Sequence, residues 1–154
     1  MRVYLIRHGE ARMAPDDGAR TLTLEGRRGV RRVGEALART GARPARMLAS
    51  PLPRAVQTAE LIAAALAFDF AIETHARLMP ATPAVLAKPI VLGETDDVAL
   101  VAHEPLLGAL AGMLLGRTHP PLAKAQVVCI EIAGAPPGRL VWTLDPKTLE
   151  LRVG

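Results

Sequence analysis

The chain has 154 residues, half of them hydrophobic and 22% charged, which suits one soluble globular domain over residues 1–154 with a core large enough to fold alone. Its longest apolar run, Leu61 to Phe68, is far below the ~18 residues of a membrane span, and the apolar start ends at Arg7, too short for a signal-peptide core, so a cytoplasmic protein without membrane contact is expected. The formal net charge is +4, but the aromatic residues are only Tyr4, Phe68, Phe70 and Trp142; that is poor for base stacking and argues against nucleic acid, and attraction to a phosphorylated, acidic partner explains the sign equally well.

Arg2 to His8 is short and rich in β-branched and aromatic residues, and reads as a buried strand. A polar loop follows with Pro15, Asp16, Asp17 and Gly18. Leu22-Thr23-Leu24-Glu25 then opens a helix with Thr23 as its N-cap. Val30, Val33 and Leu37 share one stripe; Arg28, Arg31, Arg32 and Glu35 lie opposite, as a solvated face. Gly41 ends that helix. Met47 to Ser50 reads as a second strand, and Pro51 and Pro53 precede a helix from Arg54 to about Ala67. Phe68 to Thr74 is expected as a third strand. Between His75 and Asp97, Pro80, Pro83 and Pro89 limit any helix to a short one. Val98 to Ala102 is purely apolar and reads as a central fourth strand. His103-Glu104-Pro105 leads into a helix to about Leu115. Val127 to Ile132 and Leu140 to Leu144 are two more strands joined by a Gly/Pro-rich turn, the first carrying the lone Cys129 as a buried thiol. One cysteine excludes an internal disulfide and a cysteine-based zinc site. The order of elements implies an α/β fold, a three-layer α/β/α sandwich on a mostly parallel sheet.

In such sheets, sites form beyond the carboxyl ends of the strands. Three ends carry suggestive residues here. The first strand runs into Arg7-His8-Gly9-Glu10, the second into Ser50-Pro51-Leu52-Pro53-Arg54, and the fourth into His103. Each residue alone has a bland reading, as a structural histidine or a surface arginine. Together they supply a nucleophile, two fixed cations, a second imidazole and helix N-termini, a set suited to phosphate. Gly9 would let the backbone turn tightly there.

Leu5-Ile6-Arg7-His8-Gly9-Glu10-Ala11 resembles the Arg-His-Gly signature of the histidine phosphatase (phosphoglycerate mutase-like) superfamily. Leu22-Thr23-Leu24-Glu25-Gly26, Ser50 through Ala59, and Val101-Ala102-His103-Glu104-Pro105 resemble its later motifs, in family order. The short length and the His-x-Pro-Leu stretch at His103 look most like the bacterial phosphohistidine phosphatase branch, the SixA type. The resemblance implies that neutral His8 attacks phosphorus and that Arg7, Arg54 and protonated His103 bind the phosphoryl oxygens, with no metal or other cofactor.

Larger family members often carry a carboxylate after the third strand to protonate the leaving group. Here the region reads Glu73-Thr74-His75-Ala76-Arg77-Leu78-Met79-Pro80, with no acid after Leu78. Glu10 and Glu73 are the substitute candidates. The gap suits a phosphohistidine substrate, because imidazole leaves phosphorus more readily than an alkoxide does. The expected function is therefore dephosphorylation of phosphohistidine on a signalling or carrier protein, by a monomer. The rivals are a small-molecule phosphomonoesterase of the same superfamily and a non-catalytic phosphate-binding regulator. His75 and His119 read as surface residues in loops.

Overall fold

The computed structural model describes residues 1–154. Strands Arg2–Arg7 (β1), Arg46–Ala49 (β2), Glu73–Thr74 (β3), Val98–Ala102 (β4), Val127–Glu131 (β5), Arg139–Leu144 (β6) and Leu151–Val153 (β7) form one sheet, ordered β3-β2-β4-β1-β5-β6-β7. The half from β3 to β1 is parallel, with Arg7 beside Ala102 at the carboxyl end. The half from β1 to β7 is antiparallel. The α/β class holds, on a sheet that is mixed.

Helices Leu24–Arg39 (α1) and Pro53–Ala65 (α2) cover one face; Ala84–Leu92 (α3) and Leu106–Leu115 (α4) cover the other. The period-two alternation of β1 explains the split. Tyr4 and Ile6 enter a core with Val30, Val33 and Leu37 of α1 and Ile62 of α2. Val3 and Leu5 enter a second core with Val91 of α3 and Leu107 and Leu110 of α4. Cys129 lies fully buried in the first core. No helix is long and apolar enough to cross a membrane.

Local signals act as expected at several points. Thr23 caps α1, its side chain accepting from Gly26 N at 2.9 Å, and Pro53 occupies the first turn of α2. The proline-rich middle yields a nine-residue α3 that contains Pro89. Two expectations are corrected. The strand expected over Phe68–Thr74 shrinks to Glu73–Thr74, because the chain leaving α2 first closes the helix: Ala67 takes φ 51°, and Phe68 N–H donates back to Ala63 O at 2.9 Å. The sheet also continues past Leu144, through a turn in which the Asp145 carboxylate accepts from Lys147 N and Thr148 N, into β7.

Candidate active site

The register of β1 against β4 brings His8 and His103 together just past the carboxyl ends of the two strands. Their ring centroids lie 5.1 Å apart, and the residues are 5% and 2% exposed. His8 N–H donates to Ala102 O at 3.1 Å, which extends the β1–β4 ladder by one bond and fixes the backbone beneath the ring.

His8 Nδ1 lies 2.7 Å from Gly9 O. A carbonyl only accepts, so Nδ1 carries the proton and Nε2 keeps its lone pair. The Gly9 peptide is itself gripped. Its N–H donates to Thr58 Oγ1 on α2 at 3.1 Å, and Thr58 donates to Arg54 O at 2.8 Å. Gly9 does not adopt a left-handed conformation; a Cβ there would sit 2.6 Å from Val30 Cγ2 of α1. Close approach of a helix, and not the tight turn expected from sequence, is what requires glycine.

Burial lowers the His8 imidazole to about 4; the Gly9 carbonyl opposes that shift, and Arg54, Arg7 and Arg20 add to it. His103 is pushed to about 3, by burial first and then by His8 and Arg54. Both rings are therefore neutral at pH 7. Without phosphate the fixed positive charge belongs to the guanidinium groups; the expected protonated His103 concerns the phosphate-bound site. A phosphoryl dianion placed beside His103 would raise its basicity.

Arg7 and Arg54 are each held at one end and free at another. Arg7 Nη1 donates to Leu122 O at 2.9 Å. Arg54, 3% exposed, donates from Nη1 to Asp17 O at 3.0 Å and from Nη2 to Asp17 Oδ2 at 3.2 Å. Arg7 Nε, Arg54 Nε and His103 Nδ1 are buried and have no hydrogen-bond partner. Buried N–H groups are rarely left so, and these three belong to the three residues expected to bind phosphoryl oxygens. His103 Nε2 meets Ser50 Oγ at 2.7 Å, and Ser50 Oγ also lies 3.7 Å from Met79 Sδ.

Asp17, Arg20 and Ser50 were not singled out in the sequence. The Asp16 side chain accepts from Gly18 N and starts a short 3-10 turn. That turn sets the Asp17 carboxylate against Arg54 and Arg20, and its hydrogen bond from Arg54 holds it below the usual range. The two candidate acids are engaged by other side chains. Glu73 is clasped by Arg46 through two bonds of 2.9 Å, which keeps its carboxyl below the usual range and ionised; Arg46 also pairs with Glu94. Glu10 is exposed and accepts from Thr23 Oγ1 at 3.1 Å. His75 caps the 3-10 turn Ala76–Leu78 by accepting from Arg77 N, and the half-buried His119 meets Pro120 O. A cavity of about 390 Å³ lined by Ala42, Leu66, Phe68 and Phe70 lies near the amino ends of β2 and β3, away from these histidines. No three His, Cys, Asp or Glu side chains gather as a metal site.

The fold and this arrangement define an α/β protein with two buried histidines and two arginines gathered beyond the carboxyl ends of its parallel strands. Residues 3–81 match the model of the histidine phosphatase superfamily (branch 1), and the chain belongs to that superfamily. It is 27% identical, over 98% of each chain, to the phosphohistidine phosphatase SixA of Escherichia coli (strain K12). The structure of the protein histidine phosphatase SixA complexed with tungstate superposes with a TM-score of 0.90 at 27% identity, covering 97% of this chain and all of that one. A phosphoserine phosphatase of Entamoeba histolytica shares the fold, with a TM-score of 0.71 at 14% identity over 97% of this chain and 99% of its own.

Proposed function

We propose that the chain removes phosphate from phosphohistidine on a partner protein, acting as a single cytoplasmic domain and a monomer, with phospho-His8 as the intermediate. The observation that carries this reading is the His8 tautomer. Nδ1–H is tied to Gly9 O, which leaves Nε2 unprotonated, and Arg7 Nε, Arg54 Nε and His103 Nδ1 are buried without protein partners.

The Nε2 lone pair forms a bond to phosphorus, the substrate's P–N bond breaks, and the departing imidazole takes its proton from water. Water then attacks phospho-His8 and releases inorganic phosphate and the free ring. Charge on the equatorial oxygens meets Arg7 Nε, Arg54 Nε and His103 Nδ1–H, donors already fixed by Leu122, Asp17 and Ser50. The segment expected to supply a general acid instead places the thioether of Met79 beside Ser50. That favours a leaving group that needs little protonation, and hence phosphohistidine over an alkyl phosphate. The SixA relatives, themselves phosphohistidine phosphatases, agree with this substrate class.

Brief mixing with a phosphohistidine peptide is expected to trap acid-labile phosphate on the wild-type protein and none on His8→Ala. Turnover of the peptide should exceed that of para-nitrophenyl phosphate. Equal turnover of both would favour a small-molecule phosphatase, and wild-type activity in His8→Ala would remove His8 from the reaction.

A further inference from the structure

Glu104 follows the second active-site histidine directly, yet its carboxylate turns away from the rings to the loop that lines Arg7. Oε1 accepts from Gly108 N of α4 at 3.0 Å and from Leu122 N at 2.9 Å; Oε2 lies 3.2 Å from the same Gly108 N. Leu122 is 1% exposed, and its own carbonyl receives Arg7 Nη1 at 2.9 Å. One residue is thus clamped at both polar groups: its N–H by Glu104 and its C=O by the guanidinium. The packing is tight enough that a Cβ on Gly108 would lie 3.1 Å from Glu104 Oε2 and 3.2 Å from Pro121 Cα.

We infer that Glu104 is a positioning residue for Arg7: through Leu122 it sets the guanidinium so that Nε faces the phosphoryl group. Two bonds hold the loop, one to the first turn of α4 and one to Leu122, and both end on one carboxylate. Arg7 has one other anchor in its own backbone, where Arg7 N–H donates to Gln126 O and Arg7 O accepts from Ala125 N. Those bonds fix its Cα. The direction of the long side chain depends on where the Leu122 carbonyl stands. The Glu104 charge also acts on Arg7 directly, opposing the lowering that burial imposes on it.

The inference rests on the reading of Arg7 as a phosphate ligand, so the test separates the two. Equilibrium binding of inorganic phosphate to the full chain is measured for wild type, Arg7→Ala, Glu104→Ala and the double variant. Glu104→Ala should weaken phosphate binding about tenfold, as loss of a hydrogen bond to a charged group does. In the Arg7→Ala background, the same substitution should have no further effect on phosphate binding. Glu104→Gln, which keeps one acceptor, should fall between, and it replaces the alanine variant in the cycle if that variant does not fold. A general loss of stability would weaken binding equally in both backgrounds and would overturn the positioning role. So would wild-type phosphate affinity in Glu104→Ala alongside weakened affinity in Arg7→Ala. If Arg7→Ala binds phosphate as wild type does, the reading of Arg7 fails first and this inference fails with it.

Discussion

His103 makes one side-chain hydrogen bond, to Ser50, through Nε2, while Nδ1 is buried without a partner. With the ring neutral, only one nitrogen carries a proton. A phosphoryl oxygen is an acceptor, so the useful tautomer has the proton on Nδ1; the Ser50 hydroxyl, which can donate or accept, serves that tautomer by donating to Nε2. If phosphate protonates the ring, Nε2–H donates to Ser50 instead, and the hydroxyl proton turns toward Met79 Sδ, 3.7 Å away. Ser50→Ala removes this hydrogen bond and leaves both nitrogens unpaired. The rate of phosphohistidine hydrolysis should fall about tenfold or more, with the thermal midpoint close to wild type; an unchanged rate would deny Ser50 that role. Arg7, His8, Arg54 and His103 were legible in the sequence because each stands at a strand end or in a helix's first turn. The role of Asp17 and the contact of Ser50 with His103 were not, because their partners lie 37 and 53 residues away, and no local pattern encodes such a contact.

Three elements meet at Gly9 and fix the backbone beside His8 between them. β1 delivers it, α2 holds its N–H through Thr58, and α1 presses on it with Val30. α1 reaches that depth because its first turn contains Gly26, where a Cβ would fall 2.1 Å from Glu10 O. Glu10 O is backbone and receives Thr23 N–H at 3.0 Å, so it does not yield cheaply. Gly26→Ala should therefore cost about 1–3 kcal/mol of folding free energy, read as a lower urea midpoint, and should reduce activity as α1 backs away from Gly9. An unchanged midpoint would mean that this helix end is loosely seated. Elements with strong local signals were readable: the apolar β1 and β4, the Thr23 cap, and the proline entry to α2. The errors fell where tertiary context decides. Phe68 and Phe70 look like strand residues but stack on each other at 5.6 Å beyond the end of α2. β7 is three exposed residues at a sheet edge, too short for alternation to register.

The whole molecule carries the cost of keeping two imidazoles out of water. In the unfolded chain a histidine titrates near ~6.5, whereas in the folded protein His8 and His103 titrate at about 4 and about 3. Between those limits the unfolded state binds more protons than the folded one, so stability rises with pH and is lost on acidification. Each proton of difference contributes a slope of up to about 1.4 kcal/mol per pH unit. The carboxylates that arginines hold low, Asp17, Glu73 and Glu131, act below this window, since unfolded carboxyls titrate near ~4. The slope between pH 6.5 and 5 therefore belongs to the histidines. The thermal midpoint should drop steadily over that interval in the wild type, and much less in a His8→Asn/His103→Asn variant, whose side chains do not titrate. An equal slope in both proteins would show that the two rings are not held neutral by burial. The lone pair that the proposed attack by His8 needs at pH 7 would then require another origin, because an unprotonated Nε2 and the acid sensitivity of the fold follow from the same desolvation.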